Sequence, residues 1–416
     1  MQPDKRIVEE LLRRGTDPNV ANAKGQTALH LICQRYENEG LLQLLLEVCN
    51  EKEKTLRIDA RDNGGNTPLH LATLCKSHHM VDSLLRRGAD PNVANAKGQT
   101  ALHLICQRYE NKGLLKLLLE VCDEKEKTLR IDARDNEGNT PLHLATLCES
   151  YYMIESLLER RADPSLANEE GKTPLHLVAR YEWDHCNVTM KLFFRYTDNE
   201  WLPKMEIDAR DNSGRTPLEW AVASGCSFNV ETLLLEEEAD VSGFVFPTPR
   251  DSDRYGIDYD HANESDSARN KLATAIQLLV SVELLQTRDY KLDRDAALKL
   301  MGFFDKYGLY DDMDYSTSKD VDDLVDKLFE EMGDMYLDFN AYFEELVYDI
   351  PPQFMKDCCL RMCEIAMTKF LRDWVLDPFM ELIHYRLPIE CCEMIISNLK
   401  NKDLFNICLA AAGRSS

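Results

Sequence analysis

Apolar positions along this chain come as pairs of short helix-period clusters, each pair closed by a turn rich in Gly, Asp, Asn and Pro. Residues 65–92 show the unit. Leu69, Leu71 and Ala72 form the first cluster, and Met80, Val81, Leu84 and Leu85 the second, at spacings that gather them on one face of a helix. Thr67 is expected to cap the first helix, with Pro68 at a first position that needs no N–H. His70 is expected to bond across the loop, and Gly88 to end the second helix in the left-handed region. Asp90-Pro91-Asn92 then predict a turn into the next unit. Two such clusters bury little by themselves, so each unit needs a neighbour on either side.

The neighbours are present. The phrase runs GQTALHLI (Gly25–Ile32), GNTPLHLA (Gly65–Ala72), GQTALHLI (Gly98–Ile105), GNTPLHLA (Gly138–Ala145), GKTPLHLV (Gly171–Val178) and, degraded, GRTPLEWA (Gly214–Ala221). Recurrence at roughly 33 residues with a T-P-L-H core resembles the ankyrin repeat. The implied fold is all-α: a solenoid of helix-turn-helix repeats joined by short hairpin loops, followed by an α-helical C-terminal domain. The unit spacings alternate because extensions follow the second helix at Asn50–Arg57, Asp123–Arg130 and around Thr197–Lys204. Residues 20–92 and 93–165 differ at only twelve positions, which marks a 73-residue duplication. The differences fall largely at polar or turn sites: Glu39/Lys112, Gln43/Lys116, Lys76/Glu149, and His78-His79 against Tyr151-Tyr152. His78, His79, Tyr151 and Tyr152 occupy the turn between the two helices and are the candidate target contacts. Gly88 becomes Arg161 in the second copy, a strained exchange if the left-handed geometry persists. Met1–Asn19 reads as only the second helix of a repeat, with Ile7, Val8, Leu11 and Leu12 lacking an upstream partner, as in a shortened version of a longer protein.

Charge narrows the partners. The net charge is −24, about −10 over residues 1–242 and about −14 over 243–416, so a nucleic-acid backbone or an anionic membrane would be repelled. The fourteen cysteines form no secreted framework, no signal peptide precedes them, and no apolar run approaches a membrane span. The cytoplasm, or the nucleus, is the expected compartment. Phosphate-cradling loops, nucleophile elbows and metal-ligand spacings are missing from the sequence, so no enzyme, cofactor or metal is expected. Asp312, Asp314, Ser316, Asp320 and Asp323 fall on calcium-loop positions, but Thr317 stands where glycine is needed and Asp323 where glutamate is. Cys358, Cys359, Cys363, Cys391 and Cys392 lack zinc spacing and read as helix-face thiols. The histidines His30, His70, His103, His143 and His176 recur with the repeat and read as structural.

Residues 1–242 are the expected array (a half repeat plus about six repeats), 243–270 an acidic, Pro- and Ser-rich linker, and 271–386 a helical domain. Helical patterning is clear at Leu272–Leu285, Asp323–Met332 and Phe354–Leu371. Residues 387–416 differ. Pro388 opens a helix with Glu390 in its first turn, Ile389, Ile395, Ile396 and Leu399 follow, and Asp403 is the expected cap of a second short helix carrying Leu404, Ile407 and Cys408. This L-P-x-E…I…L…D-L pattern resembles the start of an F-box, and its place after an ankyrin array resembles the PRANC family. The resemblance implies that Leu387, Pro388, Glu390, Ile395, Leu399, Asp403 and Leu404 dock the Skp-type adaptor of a cullin–RING (SCF-type) ubiquitin ligase, while the ankyrin groove holds a target protein. The last helix of a full F-box is absent. The other expectation is a stoichiometric inhibitor or scaffold of a signalling protein, of the NF-κB-pathway kind, without ubiquitination.

Overall fold

A computed structural model of the chain describes residues 10, 13–35, 39–180, 186–197, 205–249, 264–310, 319–332, 350–351 and 353–413. The extension expected at 198–204, the start of the array at 1–9 and calcium-loop positions 312, 314 and 316 lie outside these residues. The described elements are helical throughout, and no strand occurs among them. The chain divides into two compact units, residues 1–178 with 188–214, and residues 179–187 with 215–416.

In the first unit the helices alternate between an inner and an outer row. The inner row is α1 (Ala28–Cys33), α3 (Pro68–Leu74), α5 (Ala101–Cys106), α7 (Pro141–Leu147) and α9 (Pro174–Ala179). The outer row is α2 (Glu39–Glu51), α4 (His78–Arg86), α6 (Lys112–Glu124), α8 (Tyr151–Glu159) and α10 (Cys186–Thr197). Leu69, Met80, Val81, Leu84, Leu102, Leu115 and Leu142 are buried between them, as their spacing demands. Gly88 ends α4 at φ +107°. Helices of six or seven residues are too short to be stable by propensity and depend on this packing.

The Thr and His of the repeated phrase make the joints. Thr67 is the N-cap of α3; its N–H donates to His70 Nδ1 at 3.0 Å, and its Oγ1 lies 2.8 Å from the same nitrogen. A ring nitrogen that accepts from a backbone N–H carries no proton, so Nε2 holds it and donates to Gln99 O of the next repeat at 2.9 Å. The same bridge runs from His30 to Asn66 O (3.0 Å), from His103 to Asn139 O (3.1 Å) and from His143 to Lys172 O (3.0 Å). One residue thus closes a cap and ties two repeats. Burial lowers the pKa of His70 and His103, and that of His143 to about 4, which keeps these rings neutral.

The hairpin turns stack by one backbone bond per step: Asn63 N–H to Lys24 O, Ala96 N–H to Gly64 O, Asn136 N–H to Lys97 O and Glu169 N–H to Glu137 O. Close stacking is what demands glycine at Gly98, where φ is +76° and a Cβ would sit 2.6 Å from Asn136 Oδ1. Along the outer row, Arg86 pairs with Glu124 at 2.6 Å and Arg160 with Asp123 at 2.5 Å.

The second unit contains α11 (Pro217–Ser224), α12 (Ser227–Glu231, continued by a π turn Thr232–Glu236), α13 (Glu264–Thr287), α14 (Arg294–Lys306), α15 (Lys319–Met332), α16 (Met355–Leu382), α17 (Ile389–Ile396) and α18 (Asn401–Ala411). The 28-residue α16 is the spine; α13, α15, α17 and α18 all pack on it, and α12 packs on α13. Phe303, Phe304, Cys363, Met367, Leu371 and Leu404 are buried in this unit. Residues 244–249 are packed as well: Phe246 is buried, Phe244 meets Tyr290 edge-on at 5.2 Å, and Lys306 Nζ donates to Pro249 O.

The degraded phrase does specific work. Glu219 stands where the other copies have histidine, and it keeps the cap: Thr216 N–H donates to Glu219 Oε2 at 3.2 Å. A carboxylate cannot donate onward as an imidazole does, and Glu219 Oε1 instead accepts from Val245 N–H at 2.9 Å. The repeat phrase therefore changes its outgoing partner from a carbonyl to an amide, and the segment around Val245 replaces a seventh repeat.

Candidate protein-interaction surfaces

The first surface is the edge formed by the turns between inner and outer helices. Ser77 caps α4 by accepting from Met80 N–H, which places His78 and His79 in its first turn; Tyr151 and Tyr152 hold the same positions on α8. His78 is exposed but lies against the next repeat, since a methyl group at Gly113 would come within 2.6 Å of its Nε2. His79 is half-buried, with Nδ1 shielded and unpaired. Lys112 at the start of α6 sits 5.9 Å from the Tyr152 ring, and Lys76 pairs with Glu110. Three of the positions that separate the two copies, 76, 112 and 152, are therefore contacts between repeats. Tyr151, with Leu74 and Leu147 at the ends of α3 and α7, remains as exposed apolar surface on this edge.

The second surface is on α17. Pro388 is its N-cap, and Glu390 lies exposed in its first turn. Cys392 and Ile396 face inward and anchor the helix to α16; Cys392 Sγ is 3.2 Å from Met380 Sδ. Apolar side chains are exposed around the rest of the helix and just before it: Leu387 is 39% exposed, Ile389 51%, Met394 67% and Ile395 39%. Tyr385 and Leu382 extend it at the end of α16. The remaining motif residues are engaged elsewhere. Leu399 is half-buried, and Leu404 is fully buried. Asp403 caps α18 by accepting from Lys400 N–H at 3.3 Å. The accessible apolar side chains here are thus Leu387 and Ile395 of the motif together with Ile389, Met394, Tyr385 and Leu382. The sequence pattern singled out Ile389 but not Met394, Tyr385 and Leu382, because it does not say which side of α17 meets the core.

Burial pushes the Cys33, Cys359 and Cys363 thiols up to about 12, so they stay protonated. Cys358 and Cys392 are buried and Cys391 is exposed; no grouping able to hold a metal ion occurs among the described residues. No described helix is long and apolar enough to cross a membrane.

The chain is 28% identical over 188 residues to the human transient receptor potential cation channel subfamily A member 1, a match spanning 45% of this chain and 16% of that protein. It is 28% identical over 207 residues to the chicken nuclear factor NF-kappa-B p105 subunit, spanning 50% of this chain and 20% of the relative. The human B-cell lymphoma 3 protein is 32% identical over 157 residues, 37% of this chain and 33% of the relative. Among solved structures, the ankyrin repeat domain of Bcl-3, described as a member of the IkappaB protein family, matches with a TM-score of 0.44 and 28% identity, covering 52% of this chain and 88% of that one. The matched part is thus a third or less of each of these relatives' length. The family model described as ankyrin repeats (3 copies) matches residues 1–95, 74–168 and 152–243, more than half of the sequence, and the chain belongs to the ankyrin-repeat family.

Proposed function

We propose that the protein is a two-ended adaptor: the ankyrin array holds a target protein, and the apolar face of α17 docks the Skp-type adaptor of a cullin–RING ubiquitin ligase. Residues 1–242 would be the recognition part and residues 387–416 the F-box-like end, joined through 243–386. The observation that carries this reading is the exposure of Leu387, Ile389, Met394 and Ile395 on and just before a helix anchored through Cys392 and Ile396. Fully burying a wholly exposed large aliphatic side chain contributes about 1.5–3 kcal/mol, and these side chains, 39–67% exposed, would each supply about half of that on docking. Together they would form the apolar centre of a docking surface. Asp403 and Leu404, which the family pattern also includes, would act indirectly by holding α18 behind the docking helix. The test is co-purification of the full chain with a Skp-type adaptor, comparing the wild type with a Leu387→Glu/Ile395→Glu double variant. Recovery by the wild type alone supports the reading; equal recovery by both removes it.

A second reading is favoured by the similarity to the NF-kappa-B p105 subunit and the B-cell lymphoma 3 protein. Here the array masks a signalling factor of that kind, and no degradation ensues. It requires the effect on the target to survive in the Leu387→Glu/Ile395→Glu variant. Target turnover that disappears in that variant excludes it.

A further inference from the structure

We propose that Thr55 and Thr128 are phosphoacceptors for a basic-residue-directed serine/threonine kinase, and that their modification loosens the joint between successive repeats. Both lie in the extensions after α2 and α6, where residues 51–63 are repeated without change as residues 124–136. The twelve substitutions between the copies all fall outside this stretch. Each threonine is exposed, in a segment without regular structure (54–57 and 127–130). Neither hydroxyl is engaged in the fold, whereas Thr67, Thr73, Thr140 and Thr146 are buried with theirs bonded. Basic side chains stand three before, one before and two after each acceptor: Lys52, Lys54 and Arg57 around Thr55, and Lys125, Lys127 and Arg130 around Thr128. Glu51 and Glu53, and Glu124 and Glu126, alternate with these cations, so the kinase would read the basic side chains at fixed positions around the acceptor rather than the net charge of the segment. The reaction is ordinary phosphoryl transfer from ATP. The threonine Oγ1 forms a bond to the γ-phosphorus, the bond from that phosphorus to the β,γ-bridging oxygen breaks, ADP leaves, and the hydroxyl proton passes to the kinase base.

The consequence comes from the contacts of the neighbouring lysines. Lys54 Nζ donates to Gly15 O at 2.6 Å and Thr16 O at 2.8 Å, and Lys127 Nζ donates to Ala89 O at 2.6 Å. Each ammonium therefore fastens the extension to the turn of the preceding repeat. Asn19 and Asn92 complete the clasp: their side-chain amides donate to Thr55 O and Thr128 O, and their side-chain carbonyls accept from Arg57 N–H and Arg130 N–H. A phosphate one residue away offers the lysine a dianionic acceptor, stronger than a neutral carbonyl. The lysine is drawn off the turn and the clasp weakens.

The experiment treats the folded full chain with a basic-directed kinase and ATP, maps phosphate by peptide mass spectrometry, and follows amide exchange at residues 54–58 and 127–131. The expected result is modification of Thr55 and Thr128, its loss in Thr55→Ala/Thr128→Ala, its retention in Thr55→Ser/Thr128→Ser, and exchange about fivefold faster in both loops after modification. A folded chain that stays unmodified while a synthetic peptide of residues 50–61 is phosphorylated overturns the proposal. Modification with unchanged exchange overturns the loosening.

Discussion

His143 offers the sharpest test of how the array is held together. Its ring is fully buried, accepts from Thr140 N–H through Nδ1 at 3.2 Å, and donates from Nε2 to Lys172 O at 3.0 Å. Protonation would turn the accepting nitrogen into a donor facing another donor and would bury a charge. Burial accordingly lowers the pKa from 6.5 to about 4, against the smaller opposing effect of the bond to Lys172. The unfolded chain takes up its proton near 6.5 and the folded one only near 4, so the unfolded state binds more protons between these values. This contribution to stability is complete above 6.5 and drains away as pH falls toward 4. The linkage amounts to about 2 kcal/mol lost by about pH 5, approaching 3 kcal/mol below pH 4. His143→Ala removes the titration but leaves Thr140 N–H and Lys172 O without a partner, a cost of about 2–4 kcal/mol at neutral pH. Urea unfolding of wild type and variant, followed by circular dichroism between about pH 7.5 and 4.5, isolates the histidine because all other groups are shared. The stability gap should be widest at neutral pH and narrow by about 2 kcal/mol toward the acid end. A gap that stays constant across this range would refute the neutral-bridge reasoning.

Other perturbations separate the roles of single residues. Gly98→Ala adds a Cβ 2.6 Å from Asn136 Oδ1 at φ +76°, whereas Gly88→Ala at φ +107° meets nothing within 4 Å; thermal unfolding should show a loss of about 1 kcal/mol for Gly88 and clearly more for Gly98. Glu219→Gln keeps the volume but can turn an N–H₂ toward Thr216 N–H or Val245 N–H, and should cost about 1–3 kcal/mol by urea unfolding. Leu404→Ala should destabilise the chain by about 2–5 kcal/mol, and Leu387→Glu/Ile395→Glu, at partly exposed side chains, by clearly less. The reverse ranking in calorimetry would mean that the α17 face is core.

Local features could be read from sequence. Thr67 and His70 are three residues apart, so cap and ring share one turn, and the phrase announces both. The partner of His70 Nε2 is the carbonyl of Gln99, 29 residues on, and no spacing rule reaches that far. GRTPLEWA reads as one more repeat; that Glu219 turns its outgoing bond to Val245 depends on which segment packs beside it. On the turn edge, variation between the duplicated copies suggested ligand contacts at His78 and Tyr152, yet both lean on Gly113 and Lys112 of the adjoining repeat. The signal for this was available, since position 112 changes from its counterpart Glu39 together with 152 from His79. At the C-terminal end the apolar residues of α17 lie around much of the helix, and only the packing of Cys392 and Ile396 against the unit decides that Met394 points away; Ile389, on their side of the helix, is exposed at its first position.

Hydrogen-exchange footprinting of the full chain with and without a purified Skp-type adaptor addresses the docking face most directly. Protection confined to residues 382–396, and lost in Leu387→Glu/Ile395→Glu, is the outcome expected of an anchored helix with an open apolar side. Unchanged exchange over those residues at saturating adaptor would contradict it.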